Sequence, residues 1–218
     1  MTNKVVIIDY GSGNLRSAEK AFMRAALDAN IAAEVVVSND PADVLSADRV
    51  VLPGVGAYGD CMAGLTATNG MVEALETAVL TNKKPFLGIC VGMQLLADEG
   101  HEHGTKKGLG WLRAVVDPIE PKDKSLKIPH MGWNQMTLSE AGATHPVAGI
   151  LSTEDHAYFV HSYHMTLAGG DALLATVDYG EPLTAIIGRD NILGFQFHPE
   201  KSQAVGLALL TEFLRWQI

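Results

Sequence analysis

Residues 86–96 read FLGICVGMQLL and decide the fold. An apolar run leads to Cys90, which stands between Gly88 and Gly92, and an apolar segment with helical spacing follows. A short, continuous apolar run is typical of a buried parallel strand, and the segment after it is typical of a helix. The stretch therefore predicts a sharp strand-to-helix turn with a cysteine at its apex.

The first half of the chain repeats this alternation of strand and helix. Continuous apolar and β-branched runs predict strands at residues 4–9, 33–38, 49–54 and 85–90. Helical spacing predicts helices at residues 14–30, 40–47 and 71–82. Asp40 and Pro41 suit the N-cap and the first position of the second helix. This order predicts a parallel sheet with helices on both faces.

The second half changes to short strand-like segments from about Trp111. They lie at residues 111–117, 126–128, 134–138, 157–160, 172–177, 184–188 and 192–197. Gly, Pro and Asp separate them, which predicts antiparallel additions to the same sheet, and a helix at 202–216 closes the chain. We see no repeat or linker. We therefore expect one α/β domain over residues 1–218, with a central, mostly parallel sheet, helices on both faces and antiparallel extensions.

Charge and cysteine content narrow the class of protein. The formal net charge is -9 and no Lys/Arg-rich run is present, which argues against a nucleic acid or an anionic membrane surface as partner. No apolar stretch approaches the roughly 20 residues that span a bilayer, and the N-terminus does not resemble a signal peptide. Two cysteines make no disulfide framework, so we expect a cytoplasmic protein with free thiols.

Cys90 has the surroundings of a nucleophile. Gly88-Ile-Cys90-Val-Gly92 matches the G-x-S-x-G elbow of serine hydrolases, with sulfur in place of oxygen. The helix that follows adds partial positive charge, which favours a thiolate. The alternative is a buried cysteine packed as a small apolar group, which is common for free cysteines. The flanking glycines favour the elbow, whereas Cys61 lacks such a setting and is expected to pack in the core or a loop.

A base for the thiol is found in GFQFHPEKS, residues 194–202. His198 follows an apolar strand-like run, and Glu200 is close enough in a turn to bond one imidazole nitrogen while the other faces the thiol. A lone histidine is more often a surface or core residue. A histidine followed by Pro and Glu at a late strand end, in a chain with a cysteine elbow, favours the catalytic role.

Two glycine-rich loops call for different interpretations. LPGVGAYGD, residues 52–60, ends a predicted strand at the same sheet edge as the elbow, so its backbone N–H groups could face a developing oxyanion. Taken alone, it is an ordinary tight turn. DYGSGNL, residues 9–15, lacks the third glycine of a nucleotide-binding loop and is explained by a turn before a helix. The histidine pairs at 101–103 and 161–164 lack further ligands, so we expect neither a metal nor a cofactor.

Three motifs together resemble the class I (triad) glutamine amidotransferases, and the resemblance covers essentially the whole chain. PGVGAYGD, GICVGMQLL and GFQFHPEKS occur in the order and spacing of that family. IDYGSGNLRS, PHMGWNQ (129–135) and YFVHSYH (158–164) are similar to motifs of its members that supply ammonia in histidine biosynthesis. The resemblance implies the fold expected above and the hydrolysis of L-glutamine to glutamate and ammonia.

The resemblance also implies roles for individual residues. Cys90 attacks the glutamine side-chain amide, His198 moves the proton, and Glu200 orients His198. The oxyanion donors are the Val91 N–H, which the elbow geometry also favours, and the loop of Gly54, Val55 and Gly56, which has to turn over first. The resemblance assigns glutamine contacts to Gly54, Gln94, Glu102, His161, Ser162 and Tyr163.

The resemblance further implies a partner. The ammonia has to reach a (β/α)8-barrel cyclase/synthase subunit through a tunnel, in a heterodimer, because ammonium in water is not nucleophilic. The interface or ammonia passage is expected at Asn14, Trp133, Tyr158 and Lys201. Two alternatives stay open. One is a class I glutaminase that serves another synthase, of pyridoxal phosphate or of aminodeoxychorismate/anthranilate. The other is a non-catalytic regulatory binder, against which the intact cysteine, histidine and glutamate argue.

Overall fold

The computed structural model describes residues 2–218. The strands are β1 Asn3–Ile8, β2 Ala33–Ser38, β3 Arg49–Gly54, β4 Phe86–Cys90, β5 Glu99–Gly100, β6 Lys106–Lys107, β7 Ala114–Pro118, β8 His130–Leu138, β9 His156–His161, β10 Tyr163–Leu167, β11 Leu173–Asp178, β12 Pro182–Arg189 and β13 Ile192–Phe195. The helices are α1 Leu15–Asp28, α2 Pro41–Ser46, α3 Tyr58–Ala67, α4 Met71–Leu75, α5 Val91–Gln94, α6 Glu140–Thr144 and α7 Gln203–Arg215. A π-helical turn, Glu76–Thr81, continues α4.

The central sheet has the order β2-β1-β3-β4-β13-β12-β11-β8-β9. The strands from β2 to β13 pair in parallel, and the strands from β13 to β9 pair antiparallel. The parallel strands are rich in Val, Ile and Leu because both of their faces are covered. The predicted parallel sheet with antiparallel extensions is confirmed.

Helices cover the parallel half on two faces. The chain leaves β1 toward β2 and then crosses back to β3, so right-handed crossovers put α1 and α2 on opposite faces. Helix α7 packs beside α1, while α2, α3 and α4 form the other layer. Asp40 caps α2, with its carboxylate accepting a hydrogen bond from the Ala42 amide. This arrangement leaves the carboxyl ends of β1, β3, β4 and β13 open at one edge.

A second sheet, of order β10-β7-β5-β6, corrects part of the prediction. The segment predicted at 111–117 forms β7, which pairs with β10 and β5 rather than joining the central sheet. The segment predicted at 126–128 is not a strand, because the Leu126 amide bonds the Asp123 carbonyl in a turn. Strands β5, β6 and β10 were not predicted.

Two helices differ from the prediction for identifiable reasons. Helix α3 was not predicted; it begins inside the predicted loop 52–60 and buries Tyr58, Cys61 and Leu65 at helical spacing. Its glycines hid this pattern; a Cβ on Gly64 would lie 2.7 Å from the Tyr10 carbonyl oxygen, so only glycine fits. Helix α5 ends after four residues because the carbonyls of residues 95–97 accept hydrogen bonds from residues 109–112 instead of continuing the helix.

Candidate active site

Three chain segments meet at the open edge of the sheet. Gly54, at the end of β3, lies opposite Cys90 at the end of β4, and Phe195 at the end of β13 lies opposite Ile89. The glycine loop, the cysteine elbow and the segment that carries His198 therefore leave neighbouring strands side by side. This is the position where ligands bind in open α/β sheets.

Cys90 sits in a strained turn between β4 and α5. Its backbone has φ 54° and ψ -115°, a conformation that non-glycine residues rarely adopt. A Cβ on Gly88 would lie 2.7 Å from the Gly92 carbonyl oxygen, and one on Gly92 would overlap the Leu52 carbonyl oxygen. Both glycines are thus required for α5 to begin directly behind Cys90. The elbow predicted from the sequence is present.

His198 and Glu200 form a buried pair. The His198 Nδ1 lies 2.8 Å from Glu200 Oε1, so the other ring nitrogen remains for Cys90. Burial disfavours the charged imidazole, but hydrogen bonding and charge from Cys90 and Glu200 outweigh it and raise the pKa of His198 to about 10. Glu200 Oε1 also accepts a hydrogen bond from Asn14 Nδ2 at 3.3 Å. The predicted interface residue Asn14 therefore supports the orientation of the Glu200 carboxylate.

A cavity of about 320 Å³ opens beside Cys90. It is lined by Val55, Gly56, Cys90, Val91, Gln94, Glu102, Pro129, Val160, His161, Ser162, Tyr163, His198 and Lys201. The nucleophile, base, oxyanion and substrate-binding residues predicted from the sequence therefore surround one space, except that Gly54 is not itself a lining residue but adjoins Val55, which is. Glu200 does not line the cavity and contacts His198, which does. Its size suits a small amino acid. Pro129 and Val160 also line it; they belong to two of the motifs named above but were not assigned a role.

The glycine loop is held by two side chains that were not predicted to act there. The Ser12 hydroxyl donates to the Val55 carbonyl at 2.6 Å and accepts from the Val55 amide at 3.1 Å. The Cys61 thiol donates to the same carbonyl at 3.2 Å, and burial raises the pKa of Cys61. The Val55 N–H is therefore hydrogen-bonded to Ser12 and is not free to bind a ligand in the cavity.

A chain of hydrogen bonds forms the wall opposite the loop. Gln94 Nε2 donates to the Tyr163 carbonyl and to Gln196 Oε1, each at 3.0 Å. The Tyr163 carbonyl also accepts from His161 Nδ1 at 2.9 Å, and His161 Nε2 lies 3.0 Å from His130 Nδ1. Burial lowers the pKa of His161 to about 3 and that of His130 to about 4, so both rings are neutral. The segment from His161 to Tyr163 thus has a fixed backbone.

The remaining predicted residues lie at the rim. Glu102 lines the cavity, and its Oε2 accepts a hydrogen bond from the Tyr58 amide at the start of α3. Lys201 Nζ lies 5.7 Å from the centre of the Tyr158 ring, which meets Trp133 edge to face. Trp133 is 46% exposed, so this aromatic and cationic group reaches the surface beside the cavity.

Among residues 2–218, His, Cys, Asp and Glu form no group of three or more that could hold a metal ion. Within the same range, no helix has both the length and the apolar character needed to cross a bilayer.

Comparison with known proteins places this geometry in a family. A model of the family described as "Glutamine amidotransferase class-I" matches residues 6–215. The chain belongs to the class I glutamine amidotransferases. It is 57% identical over 213 residues to the imidazole glycerol phosphate synthase subunit HisH of Rhodospirillum rubrum. The aligned region covers 98% of this chain and 99% of that subunit. The HisH subunit of Mesorhizobium japonicum is 55% identical over 217 residues, with the same coverage.

Solved structures agree at the level of the fold. The crystal structure of a glutamine amidotransferase superposes with a TM-score of 0.69 at 18% identity, and the match covers 97% of this chain and 99% of that one. A second glutamine amidotransferase, from Thermotoga maritima, superposes with a TM-score of 0.62 over 92% of this chain and 77% of its own. The class I amidotransferase fold expected from the motifs is confirmed.

Proposed function

We propose that this chain is the glutaminase subunit of imidazole glycerol phosphate synthase. It hydrolyses L-glutamine to glutamate and ammonia and delivers the ammonia to a cyclase/synthase that makes imidazole glycerol phosphate and aminoimidazole carboxamide ribonucleotide for histidine biosynthesis. The observation that carries the proposal is the identity above 50% to HisH subunits over nearly the full length of both chains, together with the Cys90 elbow beside the His198–Glu200 pair.

The proposed reaction begins with attack of the Cys90 thiolate on the side-chain amide carbon of glutamine. The C–N bond breaks as the His198 imidazolium gives its proton to the departing ammonia, which leaves a glutamyl thioester on Cys90. Water then attacks the thioester with His198 as base, and glutamate is released. The raised pKa of His198 supports a ring that is charged when the reaction starts. The Glu200 carboxylate stabilises that charge.

The oxyanion of both tetrahedral intermediates needs N–H donors. The Val91 N–H stands at the start of α5, where helix geometry supplies no partner for it. The second donor comes from the loop at Val55 and Gly56, once the loop turns over. Gly56 has φ 94° and no heavy atom within 4 Å of an added Cβ, so the turn has room to change. With the Val55 N–H bonded to Ser12, the isolated chain is expected to be nearly idle.

The cavity polarity supports glutamine as substrate. The Glu102 carboxylate suits the α-ammonium, and the backbone from His161 to Tyr163 suits the amino-acid end. Both N–H groups of Gln94 are occupied by Tyr163 and Gln196, which leaves its side-chain oxygen to accept from the ligand. We therefore propose Gly54, Gln94, Glu102 and residues 161–163 as substrate contacts.

The partner is proposed to be a (β/α)8-barrel synthase subunit that docks at the exposed face around Trp133. Ammonia has to travel without contact with bulk water, and the cluster of Trp133, Tyr158 and Lys201 stands between the cavity rim and the surface. Asn14 lies near the same edge through its bond to Glu200. We propose that the two subunits form a heterodimer and that the complex has lyase activity. Within it, residues 1–218 act as one domain.

A cytoplasmic location completes the proposal. It is supported by the biosynthetic role and by two free cysteines in the chain. No nucleic acid or membrane partner is proposed, in keeping with the net charge of -9.

The test is glutamate release from L-glutamine, measured for the chain alone, with the cognate barrel synthase and its nucleotide ligand, and with a synthase of another pathway. We expect a low rate alone and a strong rise only with the cognate synthase. A rise only with a synthase of pyridoxal phosphate or aminodeoxychorismate synthesis would favour the other-acceptor alternative. No glutamate release under any condition would favour the non-catalytic binder.

A further inference from the structure

Gln196 is a buried amide that contacts Cys90 and takes no part in the proton transfers of glutamine hydrolysis. It follows β13, is 0% exposed, and its Nε2 lies 3.8 Å from Cys90 Sγ. Its backbone is fixed by a hydrogen bond from its amide to the Ala185 carbonyl. It precedes His198 by two residues, so both side chains can reach the same sulfur from one segment.

The orientation of the Gln196 amide is set by a carbonyl that can only accept. The Tyr163 carbonyl faces Gln94, so the nearer Gln94 atom has to be the NH2 group. The second proton of that NH2 group points to Gln196, which therefore presents its oxygen to Gln94. The NH2 group of Gln196 is thereby turned toward Cys90.

The Tyr163 carbonyl is itself fixed from its other side. His161 Nδ1 has to carry a proton to donate to it, so the neutral ring offers Nε2 as an acceptor to His130 Nδ1. The Tyr163 carbonyl thus accepts from His161 on one side and from Gln94 on the other. From Gln94 the donors run on to Gln196 and from Gln196 to Cys90.

We propose that Gln196 donates a hydrogen bond to the Cys90 thiolate and that Gln94 fixes the orientation of this donor. The inference rests on the proposed function for its role in glutamine hydrolysis. A donor favours the charged sulfur over the neutral thiol, because the thiolate accepts hydrogen bonds more strongly. Gln196 thus stabilises the resting nucleophile, and Gln94 acts both on the substrate and, through Gln196, on the nucleophile.

Several titratable groups lie around this sulfur in addition to the uncharged Gln196 amide, and none of them is altered in the test. Those around Cys90 are His198, Glu200, His161, Glu102, Tyr10 and Cys61. Lys201 adds a positive charge at the rim. A comparison of variants in which only the amide changes therefore isolates the contribution of Gln196.

The experiment is the pH dependence of alkylation by iodoacetamide in the full chain, with the modified Cys90 peptide quantified by mass spectrometry. Gln196→Met keeps the side-chain length and removes the donor. We expect its alkylation midpoint to rise by about half to one pH unit, less than the roughly one to two units of a short hydrogen bond to a charged group. The exposed Gln135→Met is the matched control and should keep the parent midpoint.

A second variant covers the case in which Gln196→Met does not fold. Gln94→Met leaves Gln196 in place but frees its amide to rotate, so we expect a smaller shift in the same direction. A midpoint within about 0.2 pH unit of the parent in a folded Gln196→Met variant, or in Gln94→Met if the first does not fold, overturns the proposal. Alkylation needs no glutamine turnover, so the two proposals can fail separately. If the midpoint shifts in the variant but the parent chain releases no glutamate with any synthase, the proposed function is refuted and this inference stands.

Discussion

Replacement of Gly92 by alanine tests the tight junction between the elbow and β3. A Cβ at this position would overlap the Leu52 carbonyl oxygen and lie 2.8 Å from the Leu52 carbonyl carbon. Bringing that carbon to an ordinary contact of about 3.5 Å requires α5 and β3 to separate by at least about 0.7 Å. Both contacts are with backbone atoms, so no side-chain rotation can relieve them.

The expected cost follows from overpacking in a rigid core. Such changes typically cost about 1–3 kcal/mol, and for a chain of this size each kcal/mol lowers Tm by about 2–4 °C. We therefore predict that Gly92→Ala lowers Tm by about 2–12 °C. The displacement also reaches Cys90 and the Val91 amide, and a misplacement near 1 Å costs about 100-fold in rate. Glutamate release in the synthase complex should fall by tens of fold or more.

Calorimetry measures the first effect, and glutamate release by the assembled complex measures the second. Gly170→Ala is the matched control, because an added Cβ at Gly170 meets no heavy atom within 4 Å. A Gly92→Ala chain with the Tm and rate of Gly170→Ala would refute the reasoning that glycine is required behind the nucleophile.

Three further predictions address other parts of the molecule. His130→Phe keeps the stacking of the ring but removes one of four histidines whose pKa is lowered by burial, the others being His145, His161 and His164. Since unfolded histidine binds a proton below pH 6.5, the His130 contribution to stability falls with falling pH from there to about pH 4. Denaturant titrations of the variant should show the total fall reduced by about 1.4 kcal/mol per pH unit, whereas an unchanged slope contradicts the assignment. Ser12→Ala removes both bonds to Val55, so glutamate release by the isolated chain should rise about fivefold if about 1 kcal/mol of restraint is lost; an unchanged or lower rate argues against the restraint. Arg49→Met removes bonds from a buried guanidinium to carbonyls at the end of α7 and should cost about 1–3 kcal/mol in urea unfolding, while a neutral result would show that those bonds contribute nothing net.

The parallel half of the fold could be predicted because its strands carry a strong local signal. Strands β2 and β3 occupy the predicted residues 33–38 and 49–54. Strand β3 is buried throughout and ends at a glycine, and β2 carries a β-branched run at residues 35–37 that stops at polar residues. The second sheet could not be assigned. Strands β5 and β6 have two residues each; β5 pairs with β7 and β6 pairs with β5, so their structure depends on contacts with other segments.

The reactive centre could be predicted in part, for a similar reason. Cys90 and His198 lie beside glycines and a proline that mark strand ends, so the sequence itself indicates their position at one edge. Cys61 carries no such mark, and the glycines on either side of Ser12 indicate a turn but not the group that Ser12 binds. They act on Val55 through a loop and a helix that approach it only in the folded chain.

Gln196 lies between these two cases. Its spacing of two from His198 could have indicated a shared direction, but a buried glutamine in a strand end has many possible partners. Only the Tyr163 carbonyl, from a distant strand, fixes which end of the amide faces the sulfur.

The most direct test of the central claim is Cys90→Ala in complex with the cognate synthase. We predict that product formation with L-glutamine as nitrogen source is abolished, while product formation with ammonium salts at alkaline pH is retained. Cys61→Ser, which keeps a hydrogen-bond donor for Val55, should retain both activities. Glutamine-dependent turnover that survives in Cys90→Ala would contradict the assignment of Cys90 as the nucleophile.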